Sequence, residues 1–392
     1  MGMNAKIVSA LLLSTLMAGA AHAADPGVSD TEIRVGDVAP MSGPASFLGR
    51  AMAIGSRIGM AEINAAGGIN GRMLKVITED DGWVPSRAFQ ALTKLIQVDE
   101  VFAMNGTSGT ANLLAMLPLL EDEKIPTVVT TAPTKQAYNP VRPTIFTFGA
   151  EYENAFFAQL KYIHENLEPE NAVYGLLTEQ GEFGSQIESG YQRAVDELGL
   201  KDGIRLQFTR GTANFGAEVG QMQAAGVNVL ANGSVLAGSA NMLSEARKLG
   251  LDWQVASAWS ENVPAAVQLS SPAGYDYLVA DYVAIGGKPL DDFIAMASQH
   301  VSQEDIAAIN RYTITTYIGL KVLAHAMEQC GRELTRACTV EKLAQLKDFD
   351  TKGLSGPVSF DNEQQLSGKA VAIYQLDAES KTFKTLEEFR EY

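Results

Sequence analysis

The chain has 392 residues, 46% hydrophobic and 19% charged, with 36 glycines and 14 prolines. That is globular composition, long enough for two lobes, and it excludes collagen, coiled coil and extended disorder. Its 30 Lys and Arg against 46 Asp and Glu leave a net charge of −16, a surface that repels phosphate backbones and anionic headgroups, so no nucleic-acid partner is expected.

In chain order the first element is an address. Lys6 is the one charged side chain among residues 1–23, and an apolar run from Ile7 to about Ala20 ends in Ala21-His22-Ala23. The run is short for a membrane span and ends in a small-x-small pattern, so the reading is a secretory signal peptide cut after Ala23. No cysteine stands at the cut, so no lipid anchor is expected, and the exported chain would carry −16 − 1 = −17 charges once Lys6 is lost.

From there strand-like and helical stretches alternate. The strand-like ones are Ile33–Ala39, Met73–Glu79, Val101–Met104, Thr127–Thr131, Ala172–Leu177, Ile204–Phe208, Val227–Ala231, Gln254–Ala258 and Tyr277–Ile285. Helical patterns lie between them, and a longer one covers Arg311–Glu328. After a further helix near Val340–Lys347 come two more strand-like stretches, Val358–Phe360 and Ala370–Leu376. Strands separated by single helices run parallel, with helices on both faces, so the fold class is α/β. Two such runs follow each other without a Pro- or Ser-rich linker, which predicts two lobes with the chain crossing between them as a hinge.

Catalytic and nucleotide signatures are absent: no Gly-x-Gly-x-x-Gly, P-loop, His-Glu-x-x-His or Gly-x-Ser-x-Gly occurs. Two cysteines and four histidines are too few for a cysteine-rich metal site, and neither metal nor cofactor is expected. His164, His300 and His325 read as helix-surface residues, and Asp80-Asp81 as solvated loop acids whose side chains point to opposite faces. An enzyme is therefore not expected, a secreted hydrolase being the reading set aside. What remains is a set of small polar loops where strands end: Ser42–Ser46, Gly106–Thr110, Thr130–Pro133 and Asn232–Ser234. In open parallel sheets ligands bind at strand C-termini, and a following helix N-terminus favours an anion. Ordinary helix capping explains each loop singly; the four together point to a ligand cleft.

The order of these pieces resembles the bacterial branched-chain amino-acid (leucine/isoleucine/valine) binding proteins. The likeness is carried by Ile33-Arg34-Val35-Gly36 with Pro40–Pro44, by Glu62–Arg72 followed by Glu79-Asp80-Asp81, and by Leu334-Thr335-Arg336 with Lys347–Asp350. The resemblance implies a type I periplasmic-binding fold, in which two α/β lobes joined by three crossovers close on a small solute. It also implies a periplasmic location and delivery to an inner-membrane ABC permease. The lobes are expected as residues 24–149 with about 282–357, and 150–281 with about 358–392. Carried over loop by loop, the carboxylate-binding loop falls on Ser108–Thr110, the next strand-end loop on Thr131, Ala132 and Pro133, and the other pocket positions on Phe183, Leu48, Ser234 and Trp259. Leu48 and Ser234 stand where the leucine-type pattern has tyrosines. Trp259 stands where it has the ammonium-binding carboxylate, and Glu261 is the expected replacement. The expected solute is a hydrophobic, branched-chain or aromatic amino acid. The alternatives are a hydrophobic or aromatic acid without an amine, or a ligand-sensing regulatory subunit of the same fold.

The last expectations concern assembly. A monomer is expected. Cys330 and Cys338 are the chain's two cysteines, they flank a turn containing Gly331, and export leads to an oxidising compartment, so they are expected to form a disulfide.

Overall fold

The structure is a computed structural model that describes residues 25–360 and 365–392; the signal peptide expected over residues 1–23 lies outside the described residues. The first half runs β1 (Glu32–Ala39), α1 (Ser46–Ala65), β2 (Met73–Asp80), α2 (Pro85–Gln97), β3 (Ala103–Thr107), α3 (Thr110–Asp122), β4 (Thr127–Val129), α4 (Lys135–Tyr138) and β5 (Ile145–Phe148). The second runs α5 (Tyr152–Tyr162), β6 (Tyr174–Glu179), α6 (Glu182–Leu198), β7 (Asp202–Phe208), α7 (Gly216–Ala224), β8 (Val229–Gly233), α8 (Ala237–Lys248), β9 (Gln254–Ser257), α9 (Pro264–Ser270) and β10 (Tyr277–Asp281). The coda is α10 (Gly287–Ala297), α11 (Gln303–Ala307), α12 (Arg311–Gln329), α13 (Arg336–Ala344), β11 (Leu366–Ser367), β12 (Val371–Asp377) and β13 (Thr382–Arg390).

Among the described residues these strands form two sheets, in the orders β11-β5-β4-β3-β1-β2 and β13-β12-β10-β9-β8-β6-β7. All pairings in the first sheet are parallel, and only the two C-terminal pairings in the second, β10 with β12 and β12 with β13, are antiparallel. This is the type I periplasmic-binding architecture.

The chain passes between sheets after β5, after β10 and after β11. The third passage falls between Ser367 and Val371, later than the expected boundary near 358. Val358–Phe360, read as a strand of the second lobe, stays with the first. Val358 bridges Phe349, and the Phe360 ring packs edge-on against Phe146 of β5 at 5.3 Å. In the first lobe α1 packs along α12, where Gly55 is required: a Cβ there would stand 2.3 Å from the Thr313 carbonyl oxygen. α12 starts on a capping box, with Asn310 accepting from the first-turn backbone and Thr313 returning a bond. Its C-terminal end is joined to α13 by the Cys330–Cys338 disulfide.

The crossovers are held by a buried ion pair. Arg311, at the start of α12, donates from Nε and Nη2 to Asp281 at the end of β10, at 2.7 and 3.0 Å. Both side chains are fully buried, and Asn262 Nδ2 adds a third bond to Asp281 at 3.1 Å. The Arg311 guanidinium lies 4.0 Å from the Trp259 ring, so the hinge charge is also covered by an aromatic face.

Candidate functional site

A cavity of about 270 Å³ opens between the lobes where the strands of both sheets end. The first lobe supplies Leu48 and Met52 from α1, Trp83 from the loop after β2, Ser108 and Thr110 at the start of α3, Thr131 after β4, and Tyr312 from α12. The second supplies Tyr152, Gln180, Glu182, Phe183, Arg210 and Leu236.

The floor is built at the N-terminus of α3. Gly109 precedes the helix at φ 62°, a left-handed conformation that glycine adopts without strain. The first intrahelical bond runs from Leu113 N–H to Gly109 O, so the amides of Thr110, Ala111 and Asn112 have no acceptor within the helix. Beneath them lies Asp81, fully buried. Its Oδ2 accepts from the Ser108 hydroxyl and, at 2.7 Å, from Asn112 Nδ2; its Oδ1 accepts from the Trp83 amide at 2.8 Å. Asp81 is thus not the solvated loop acid expected. Asp80 points the other way and is only half-buried: it takes bonds from the amides of Met41, Ser42 and Gly82, from the Ser42 hydroxyl and from Arg87. Burial works against its charged form, but the bonds from Ser42, Gly82 and Met41 outweigh that and hold its carboxyl below the usual range.

One wall is a run of rings. Phe183 meets Tyr152 edge-on at 4.7 Å, and Tyr152 stacks on Trp259 at 4.2 Å, with 11° between the planes. Tyr152 forms the surface of the cleft and Trp259 supports it from behind.

Of the residues expected in the pocket, Leu48, Ser108, Thr110, Thr131 and Phe183 line the cavity together. Ala132, Ser234, Trp259 and Glu261 are buried behind it. Ala132 and Ser234 each sit beside a lining residue, Thr131 and Val235, as the alternating side-chain direction of an extended strand end requires. Glu261 is fully buried, and its Oε1 accepts from the Leu236 amide at 2.7 Å. Burial pushes its carboxyl up to about 8 against the opposing bonds from Leu236 and Ser239. Glu261 therefore holds the backbone of Leu236, which has φ 53°, while the Leu236 residue itself lines the cavity.

The sequence reading missed Tyr152, Tyr312, Trp83 and Arg210 on the lining. Tyr152 follows β5, a strand not recognised, so its loop was not seen as a strand end. Arg210 stands just after β7, donates from Nε to Glu179 at 2.7 Å and is half-exposed at the rim. The position of Arg210 after an alternating strand is the signal that could have found it.

Two α/β lobes enclose a cleft where the strands of both sheets end, which is where open parallel sheets bind a solute. The chain belongs to the periplasmic binding protein family, whose model matches residues 32–382. Membership of that family makes it a binding protein rather than an enzyme. It is 25% identical over 366 residues to the Leu/Ile/Val-binding protein of Escherichia coli K12, covering 88% of this chain and 91% of the relative. Among solved structures, a branched-chain amino-acid ABC transporter protein from Thermus thermophilus with bound valine superposes with a TM-score of 0.81 at 16% identity, covering 93% of this chain and 98% of that one. A solute-binding protein from R. palustris in complex with 4-hydroxybenzoate gives 0.80 at 17% identity, covering 92% and 97%. No helix among the described residues is long and apolar enough to cross a membrane.

Proposed function

We propose that the cleft captures a small hydrophobic carboxylate, a branched-chain or aromatic amino acid in the first place, and that the protein hands it to an inner-membrane ABC permease from the periplasm. The observation that carries this reading is the pairing of an anion floor with an aromatic wall. Unbonded amides and the Thr110 hydroxyl lie at the α3 N-terminus, Thr131 lines the cleft from the end of β4, and Leu48, Met52, Trp83, Phe183 and Tyr152 surround the remaining space. Helix N-termini favour carboxylates, and aromatic rings bury about 150–250 Å² each, so a bulky apolar body is favoured over a small polar one. Valine and 4-hydroxybenzoate, held by two structures of like fold, are both small carboxylates with an apolar body.

A second reading, a hydrophobic acid without an amine, is favoured by Glu261. The acid expected to hold an ammonium is turned into the core, and the lining Glu179 is committed to Arg210. A thermal-shift screen of amino acids against matched plain acids, followed by calorimetry, tests both. A ligand at 100 times its dissociation constant adds about 2.7 kcal/mol of stability. Tight binding that survives both Thr110→Ala and Tyr152→Ala places the site elsewhere.

A further inference from the structure

We propose that Asp81 sets the polarity of the cleft floor and thereby selects a solute that carries a hydrogen-bond donor, an ammonium or a hydroxyl, on the carbon beside its carboxylate. This rests on the reading above that the cleft takes a hydrophobic carboxylate. The argument starts from proton counting. A serine hydroxyl has one hydrogen, and that of Ser108 is directed to Asp81 Oδ2. Asn112 Nδ2 stands 2.7 Å from the same carboxylate oxygen and 3.3 Å from Ser108 Oγ, so it too donates inward. Ser108, a lining residue, is left with a lone pair to offer the cleft and no hydrogen. A plain carboxylate placed there meets acceptor against acceptor.

Asp81 reinforces the preference. Both its oxygens are occupied by neutral donors, the hydroxyl of Ser108, the amide of Asn112 and the backbone N–H of Trp83. Among the described residues no Lys or Arg pairs with it, and it is fully buried one hydroxyl behind the floor. A carboxylate in that place repels a second one and favours a donor or a cation. The solute carboxylate is then left to Thr110 and the free amides of α3, and its neighbouring donor to Ser108 Oγ. The charge that Glu261 does not present to the cleft is supplied from behind Ser108. Asp81 acts through Ser108 and is a positioning residue.

Calorimetry on two matched sets tests this: leucine, 2-hydroxy-4-methylpentanoate and 4-methylpentanoate; phenylalanine, 2-hydroxy-3-phenylpropanoate and 3-phenylpropanoate. The full protein, Asp81→Asn and Ser108→Ala are each titrated, with melting temperatures measured alongside. In at least one set the unaltered protein should bind the amino and hydroxy compounds about tenfold more tightly than the plain acid, in either order of the two. Both variants should shrink that ratio below about threefold. Uniform weakening of all three compounds by Asp81→Asn would mean that Asp81 only braces the loop, and would overturn the inference. So would a ratio that both variants leave intact, or a plain acid that binds the unaltered protein best; in those cases the reading of the cleft stands. Should none of the six bind, that reading falls and the inference with it. If Asp81→Asn does not fold, Ser108→Ala decides alone, since it removes the acceptor and leaves the other bonds of Asp81 in place.

Discussion

Glu261 and Asp37 show how far burial changes what an acidic residue does here. Both are fully buried, and desolvation raises each carboxyl to about 8, opposed at Asp37 by the 2.5 Å bond from Ser56 and at Glu261 by the Leu236 amide. In the unfolded chain both titrate near 4. Between about 4 and 8 the folded state therefore holds more protons than the unfolded one. The stability linked to these groups is fully present below pH 4 and is lost as pH rises through 8, by at most about 1.4 kcal/mol per pH unit and group. Urea midpoints should accordingly fall from pH 5 to pH 8.5, and Asp37→Asn and Glu261→Gln should each flatten the fall. A midpoint that rises over this window contradicts the assignment. Because Glu261 stands behind the lining and a glutamine oxygen can still accept from Leu236, Glu261→Gln should leave solute affinity within about threefold at pH 7. A larger loss would return Glu261 to the site.

Elements differed in how much of them the sequence disclosed. The alternation of β1, α1, β2 and α2, and the long stripe of α12, were legible because each buries one continuous apolar face and is punctuated by Gly, Pro or Asn. β5 was missed: Ile145–Phe148 is four residues long and lies between Pro143 and Gly149, so it reads as loop. β13 was missed because it is an edge strand whose Lys384, Glu387, Glu388 and Arg390 carry the charges that guard such an edge. The cleft was half legible. Ser108, Thr110 and Thr131 follow strands that were recognised, whereas Tyr152 opens α5 after the strand that was not. The burial of Asp81 and Glu261 ran against the rule that charge marks exposure. Since Tyr152 is stacked on Trp259 and abuts Phe183, Tyr152→Ala should cost about 3 kcal/mol of stability and at least tenfold in solute affinity, and Tyr152→Phe should restore both. Chemical denaturation and calorimetry on the two variants check this; equal loss in both would point to the hydroxyl instead. The disulfide closing α12 onto α13 spans a separation of eight residues and lies outside the cleft lining. Replacing both cysteines by serine should cost about 2 kcal/mol, the short-loop end of the range, with affinity unchanged.

The whole molecule is two sheets whose relative position is set by three passages of chain. The Asp281–Arg311 pair stiffens one of them, and Tyr282, just beyond it, donates its hydroxyl to the Thr130 carbonyl of the first lobe at 2.8 Å. Across the cleft the lobes also touch directly. Gln186 Nε2 of α6 donates to Thr134 Oγ1 of the first lobe at 2.9 Å, and both side chains are buried there. Neither residue lines the cavity. This bond exists only while the lobes are together, so it belongs to the closed state and not to the solute. A binding protein whose competent state is a fraction of the population has its affinity reduced by that fraction. Gln186→Ala should then weaken every solute by the same factor, about fivefold for the loss of one neutral hydrogen bond, and should do so mainly through faster release. Stopped-flow release rates and small-angle scattering separate this from damage to the site. With solute the protein should remain a monomer and its radius of gyration should fall. The variant should need more solute to reach the same closed radius and should reach it at saturation. A variant that binds as tightly as the parent would show that the contact contributes nothing to closure. A radius that does not change under saturating solute would mean that the lobes do not move on the hinge at all.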